Sequence, residues 1–412
     1  MKYFLIIGDG MADNPTDKLG GKTPLEYASI PVMDSLAREG MLGSVKNVPD
    51  GLPAGSDTAI LSIFGCDPRV CYTGRAPLEA AAAGIALTPG DAAYRCNMVT
   101  YEDGDSIPFG EKRILSHSAG SIEGDESIAI IKALFADKDF APLAEKAGMH
   151  VEPSPSFRHI AVQKAADING IVLIPPHDHL TEKIGPLMPS GCANAEVLKE
   201  LMIKAHEILN HHPLNEKRRA AGKMPANGIW FWAEGTAVAL PSFTENYGKN
   251  GTVISAVPLC QGIARLTGLG VTEVEGATGE LETNYEGKAQ AAIDAALSGC
   301  DFTAVHLEAP DECTHNGDTE GKLLAIERLD SRIIKPIVEG MRARGEDFRM
   351  LILSDHKTLT DTRGHDGDPV PFIIYDSRAK TGSGLAYTEA NGLKGPFVEA
   401  GVDLMSLLFE KK

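Results

Sequence analysis

No apolar run in this 412-residue chain approaches the ~18 residues that a membrane-spanning helix needs. The opening segment, MKYFLIIGDGMAD, reaches Asp9 after one short apolar run. That run is too short for a secretory signal and has no small-residue cleavage site behind it. Cysteine is sparse and unpatterned. Cys66, Cys71, Cys96, Cys192, Cys260, Cys300 and Cys313 make an odd number at wide spacings with no Cys-x-x-Cys. This excludes a disulfide framework and a zinc–thiolate site, and predicts reduced thiols in a cytoplasmic protein. Positive charge is also scarce: 39 Lys and Arg stand against 57 Asp and Glu, a net charge of −18. Nucleic acid and anionic membrane are therefore disfavoured as partners. An anionic substrate would need a metal or an arginine cluster to reverse the local field. There is no internal repeat and no low-complexity segment.

What is present is the composition of an ordinary globular protein, long enough for two or three domains. KYFLIIGDG reads as a buried strand ending at a Gly-flanked Asp9. SIPVMDSLAREG reads as a helix with Ser29 as N-cap, Pro31 in the first turn and Gly40 as its stop. A second helix is expected from Pro77 through LEAAAAG to Gly84. Strand–helix alternation predicts an α/β fold, with a mostly parallel sheet flanked by helices. The texture changes near residue 88, where polar stretches such as TYEDGDSIPFGEK begin. It changes back near 228 with GIWFWAEG, GTVISAV, DFTAVHLEAPD, RMLILSD and PFIIY. The expected organisation is a core of 1–88 and 228–412, interrupted by a smaller α/β domain over 89–227.

The stretch LILSDHKTLTDTRGHDGDPVPF, residues 351–372, crowds Asp355, His356, Asp361, His365, Asp366 and Asp368 behind an apolar run. A solvated acidic loop is one reading. Buried, such carboxylates would repel one another unless a cation sat between them. Other apolar runs end in the same kind of residue: FLIIGD at Asp9, and FTAVHLEAPDECTH at Asp311 and His315. Ligands gather at the carboxyl ends of parallel strands, so three such strands side by side would bring these residues to one edge. Asp311 and His315 are four apart, on one face of a helical turn. Asp355 and His356 are adjacent and can serve one site only if their strand has already ended. His365 follows on a Gly-flanked loop able to fold back. Asp9, Asp311, His315, Asp355, His356 and His365 suffice for two cations, with positions left for substrate or water. His306, inside its strand, reads as a satisfied core histidine, and His211 and His212 as a helix end.

LPAGSDTAILSIFG, residues 52–65, puts Ser56 at the start of an apolar helix after Gly55. Ser56 is either the N-cap or, beside a divalent cation and the free N–H groups of a helix start, a ligand and nucleophile toward phosphorus. Thr58 and Ser62 fall inside the helix.

GDGMAD, GSDTAILSIFGCDP, YTGRAPLEA, APDECTHNGD, LILSDH and RGHDGDPVPF, in that order, resemble the cofactor-independent phosphoglycerate mutases of the archaeal type, in the alkaline phosphatase superfamily. YRCNMVT, HSAGSI, FRHIAV, PPHD, NGIWFW, GTVISAV and TNYEGKA extend the resemblance over nearly the whole chain. It implies an alkaline-phosphatase-like core with an inserted substrate-binding or lid domain. It also implies one metal held by Asp311, His315 and His365, a second held by Asp9, Ser56, Asp355 and His356, and Ser56 as phosphoryl acceptor. The implied reaction interconverts 2-phosphoglycerate and 3-phosphoglycerate without 2,3-bisphosphoglycerate. The implied cofactors are two divalent cations, usually Mn2+, with Zn2+, Co2+ or Mg2+ also compatible with such ligands. The partner is a small phosphorylated substrate. Motif position marks Arg75, Arg95, Arg158, His177, Asp178 and Lys288 as substrate contacts, arginine offering a bidentate fork to phosphate and carboxylate. Ala76 and His117 depart from the family pattern. A phosphatase, or a phosphotransferase on another small alcohol such as a homoserine-kinase-like activity, could use the same metal set.

Overall fold

Apolar runs without alternation suit parallel strands covered on both faces. Lys2–Gly8 lies in this way between Phe302–Leu307 and Phe348–Leu353, parallel to both. These three strands are the centre of an eight-stranded sheet in the computed structural model, which describes residues 1–379 and 382–410. On one side Gly251–Ile254 and Gly270–Val271 continue in parallel. On the other, Val370–Asp376 runs antiparallel, followed by Met41–Val45 and then Phe397–Val398 in the original direction. The fold is thus the expected α/β arrangement with a mostly parallel sheet.

Alternation along each strand decides which helices cover which face. Phe4, Ile6, Val305, Leu307, Met350 and Ile352 point to one side, where Met33, Tyr285, Ala289, Ile337 and Met341 from flanking helices close the core. Tyr3 and its register partner Phe302 point to the other, into an aromatic cluster with Phe64, Phe243 and Phe409. The helix Pro31–Glu39 starts at the proline and stops at Gly40, as expected. Its cap position is Ile30 rather than Ser29, whose N–H goes instead to Glu327 Oε1 at 2.9 Å. The next expected helix lies slightly earlier than predicted, at Arg75–Ala82.

The chain divides into two compact units, Met1–Tyr72 with Ala239–Lys412, and Thr73–Val238. The division differs from the expected boundaries at 88 and 228. The helix Arg75–Ala82 and the strand Gly228–Thr236 belong to the second unit because both pack on its central strand, Ala92–Tyr101. That strand lies in a five-stranded antiparallel sheet, between Arg158–Gln163 and Gly228–Thr236. Its Ala92, Tyr94, Cys96 and Met98 face a core that includes Ile130, Leu134, Leu198 and Met202 from two helices. Ala93 faces the opposite side, against Ala76 and Ala80 of Arg75–Ala82. All seven cysteines are free thiols. Among the described residues no helix is long and apolar enough to cross a membrane.

Ile352 is fully buried in the strand that leads to Asp355. Ile352→Ala is expected to cost about 2–5 kcal/mol, through lost burial and the cavity left behind. Denaturant unfolding of the two proteins measures this, and a loss below about 1 kcal/mol would contradict the packing described.

Candidate active site

Strand register brings the site together. Ile7 is paired with both His306 and Leu353, so three neighbouring strands leave the sheet at one level. Asp9 lies just past the first strand. The helix Ala309–His315 follows the second and carries Asp311 and His315. Ser354, Asp355 and His356 follow the third, so the strand has ended before the adjacent pair, as a shared site requires. Val370–Asp376 runs the opposite way, and its start, reached through the His365 loop, meets the end of Met41–Val45. From Val45 a short segment leads to the helix Ser56–Ile63. The six expected ligands and Ser56 therefore share one edge of the sheet.

They form two groups. In one, Asp311 Oδ2 lies 3.1 Å from His315 Nε2 and Oδ1 lies 3.3 Å from His365 Nε2, while the two Nε2 atoms are 2.9 Å apart. In the other, Ser56 Oγ lies 3.2 Å from His356 Nε2 and 3.5 Å from Asp9 Oδ1. His356 Nε2 is 3.2 Å from Asp355 Oδ2 and 3.6 Å from Asp9 Oδ1. The structure thus brings the residues of each implied set close together at this edge.

The polarity of these groups fits a cation. His315 Nδ1 lies 2.8 Å from Arg363 O, His365 Nδ1 3.3 Å from Ala54 O, and His356 Nδ1 3.2 Å from Lys357 O. A carbonyl oxygen only accepts, so each Nδ1 carries a proton and each ring turns Nε2 inward, the atom that would bind a cation. Each Nε2 therefore lies against carboxylate oxygens, those of Asp311 for His315 and His365 and that of Asp355 for His356. Asp355 Oδ1 takes the Gly10 N–H at 3.0 Å, whereas its fully buried Oδ2 has no hydrogen-bond donor. Mixed carboxylate and imidazole ligands of this kind suit Mn2+, Zn2+, Co2+ or Mg2+.

The same crowding shifts the titrations. Burial, then the neighbouring carboxylates of Asp355, Glu308 and Asp311, raise Asp9 well above the carboxylate range. Burial pulls His356 down. The hydrogen bond to Asp311 raises His315 to about 9. Burial would lower His365, but Asp311 more than offsets it and the net shift is upward. Burial opposes ionisation of Asp311, yet hydrogen bonds from His315 and His365 hold it far below its ordinary value.

Of the two readings of Ser56, the cap is not the one observed. Gly55 occupies the cap position, Ser56 is the first helical residue, and no side chain caps the helix. The Ser56 hydroxyl turns instead toward Asp9 and His356. Gly10 has φ +59°, and a Cβ there would fall 2.3 Å from Thr358 Oγ1 and 2.8 Å from Asp311 Oδ1. Only glycine lets the chain pass this close to the ligands.

Two participants escaped the sequence reading. Thr358 Oγ1 donates to Asp311 Oδ1 at 2.6 Å. His306 is a satisfied core histidine, as expected, but its partner is Asp9: Nε2 lies 2.9 Å from Oδ2. Its place directly beside the strand that ends at Asp9 was the available signal. In the acidic stretch, Asp361 instead accepts from Thr16 Oγ1, and Asp366 takes the Asp368 N–H.

The second unit gathers a separate cationic cluster. Buried Glu79 lies 3.1 Å from Arg75 Nε and 2.8 Å from Arg95 Nε. Arg95 also stacks over Trp232 at 4.7 Å, and Arg158 lies 5.2 Å from the Phe157 ring and 5.9 Å from Trp232. Burial opposes ionisation of Glu79, but Arg95, Arg75 and Arg158 hold it down to about 2. His177 packs 5.1 Å from Trp232 and 6.0 Å from His117, and Asp178 is exposed beside His177. Lys288 departs from expectation. It lies in the first unit, only 1% exposed, with Nζ donating to His306 O at 3.0 Å, so burial leaves it no surface to offer a substrate. Tyr285, Lys288, Ala289, Ala292 and Ala296 are the buried stripe of one helix, and Lys288 falls on it.

Because Asp311 raises His315 to about 9, a cation binding at neutral pH must displace a proton. The apparent Mn2+ affinity of the metal-free protein should therefore rise by about tenfold per pH unit for each proton displaced, from pH 7 toward 9. Calorimetric titrations across this range check it, and an affinity independent of pH would contradict the assigned ligand set.

Residues 37–215 match the family described as 2,3-bisphosphoglycerate-independent phosphoglycerate mutase. The chain is 44% identical, over 100% of both sequences, to the 2,3-bisphosphoglycerate-independent phosphoglycerate mutase of Methanosarcina barkeri. It is 42% identical, again over 100% of both, to the probable enzyme of that name in Geobacter sulfurreducens. Among solved structures, a protein from Pyrococcus horikoshii superposes with a TM-score of 0.80 at 31% identity, covering 100% of this chain and 98% of that one. The cofactor-independent phosphoglycerate mutase from Thermoplasma acidophilum superposes with a TM-score of 0.64 at 27% identity, covering 99% of each. With its edge of paired imidazole and carboxylate groups, its Ser56 helix and relatives matched from end to end, the chain belongs to the 2,3-bisphosphoglycerate-independent phosphoglycerate mutase family.

Proposed function

We propose that the protein interconverts 2-phosphoglycerate and 3-phosphoglycerate through a phosphoserine at Ser56, without 2,3-bisphosphoglycerate. The observation that carries the reading is the Ser56 hydroxyl. It is released from capping and set within 3.5 Å of both Asp9 and His356 at the start of a helix. Asp311, His315 and His365 would hold one divalent cation, and Asp9, Ser56, Asp355 and His356 a second, with manganese the expected metal. When bound, the pair supplies the positive charge that neutralises phosphoryl oxygens and makes the serine oxygen a stronger nucleophile.

The protein's own groups do the rest. The free N–H groups at the start of the Ser56 helix favour negative charge in front of it. Ser56 Oγ attacks phosphorus in line, a P–O bond to the glycerate breaks, and the released hydroxyl takes up the proton given up by Ser56. The glycerate then turns and accepts the phosphoryl group on its other oxygen, which frees Ser56. In the second unit, Arg75, Arg95 and Arg158, with His177 and Asp178 nearby, supply the charge and forked geometry to hold the glycerate while it turns. The phosphoserine must be kept from water through that interval, and a lid role for the second unit follows from this need. The free thiols agree with a cytoplasmic setting.

Ser56→Ala should abolish turnover while the protein stays folded, since no capping bond is lost. A coupled assay for 2-phosphoglycerate together with a thermal melt checks this, and substantial activity in the variant would sink the phosphoserine route. Chelation should likewise abolish activity, and added Mn2+ should restore it. Arg158→Ala should raise inorganic phosphate release relative to isomerisation, because a loosely held glycerate leaves the phosphoserine to water. An unchanged ratio would remove Arg158 from that role. Rapid phosphate release by the unmodified protein, with no 2-phosphoglycerate formed, would make it a phosphatase.

A further inference from the structure

Behind Asp9 lies a hydrogen-bond chain with a single direction. Val257 N–H donates to Ser255 Oγ at 3.0 Å. Ser255 Oγ lies 3.1 Å from His306 Nδ1, and His306 Nε2 lies 2.9 Å from Asp9 Oδ2. Ser255, His306 and Asp9 are all buried. With Asp9 ionised, as a cation beside it requires, Nε2 carries the N–H, so Nδ1 of the neutral ring is the acceptor and takes the Ser255 hydroxyl proton. The Val257 N–H, already bound to Ser255 Oγ, leaves that proton free to point at the ring. Lys288 Nζ, donating to His306 O at 3.0 Å, pins the strand that carries the ring. The other carboxylate near the ring, Glu308 Oε2, is farther away, at 3.5 Å.

The consequence falls on Asp9. A carboxylate with both oxygens free can rotate, or offer both to one cation. Here Oδ2 is tied to His306, and only Oδ1 is turned toward Ser56 and His356. We propose that Ser255 and His306 are positioning residues. They fix Asp9 so that Oδ1 alone is presented to the cation-binding face beside Ser56. The inference rests on the reading of that face as a cation site, and adds two residues outside the ligand set. It also gives buried Lys288 a part in holding that arrangement.

The test uses the full-length, metal-free protein and Mn2+ alone, titrated calorimetrically, with a thermal melt of each metal-free variant. His306→Leu removes the donor and should weaken one of two bound ions about 10- to 100-fold. His306→Gln keeps an N–H near the Nε2 position and should bind within about threefold of the unmodified protein, a rescue that a purely packing role would not give. Ser255→Ala removes the proton that fixes the ring, and should weaken the same ion by a smaller factor. Should His306→Leu fail to fold, Ser255→Ala and His306→Gln decide the matter. Unchanged Mn2+ binding in every folded variant lacking the donor or Ser255 overturns the inference, as does binding in folded His306→Gln as weak as in His306→Leu. An unmodified protein that binds no Mn2+ would instead overturn the cation reading on which the inference rests.

Discussion

The crowding of imidazole nitrogens and carboxylate oxygens at one sheet edge is the constraint on which the rest of this structure depends. His315 and His365 bring their Nε2 atoms to 2.9 Å while each gives its Nδ1 proton to a backbone carbonyl. His356 turns its Nε2 toward Asp355, Asp9 and the Ser56 hydroxyl. A protein of net charge −18 has no general supply of cationic side chains to relieve such crowding, and Lys288, the nearest buried ammonium among the expected site residues, is committed to a carbonyl. A divalent cation bound in each group, as proposed, would turn that crowding into ligation.

The scaffold makes that crowding reproducible. Three parallel strands in matched register end at one level, and one antiparallel strand begins there, so every site residue hangs from a fully packed sheet. The backbone comes close enough to place Gly10 N–H on Asp355, at a position where any side chain would strike Thr358 and Asp311. The second unit gathers positively charged side chains instead. It concentrates three arginines around one buried carboxylate and braces two of them against Trp232. Glu79 restrains both Arg75 and Arg95.

Asp9, Asp311, His315, Asp355 and His356 were legible as candidates because each comes just after a run of buried strand residues, and strand ends in a parallel sheet point one way; His365 lies on the loop that leads into the antiparallel strand. The expected boundaries at 88 and 228 differ from the division into compact units for a related reason. GIWFWAEG is as apolar as the core strands, but it pairs with Ala92–Tyr101 in an antiparallel sheet of its own. Hydrophobicity reports burial and does not say in which sheet. Lys288 was misplaced because a motif resemblance gave it a role without asking which face of its helix it occupies. Spacing from Tyr285 puts it on the inward stripe. Thr358, Glu79 and the link from Ser255 through His306 depend on contacts between distant segments, and no local pattern announces them.

Anomalous X-ray diffraction from crystals grown with Mn2+ tests the central claim most directly. The account predicts two manganese peaks. One should be bounded by Asp311, His315 and His365, and the other by Asp9, Ser56, Asp355 and His356, each ligand atom at roughly 2.0–2.3 Å. Peaks elsewhere, or none at this edge of the sheet with the metal present in excess, would contradict it.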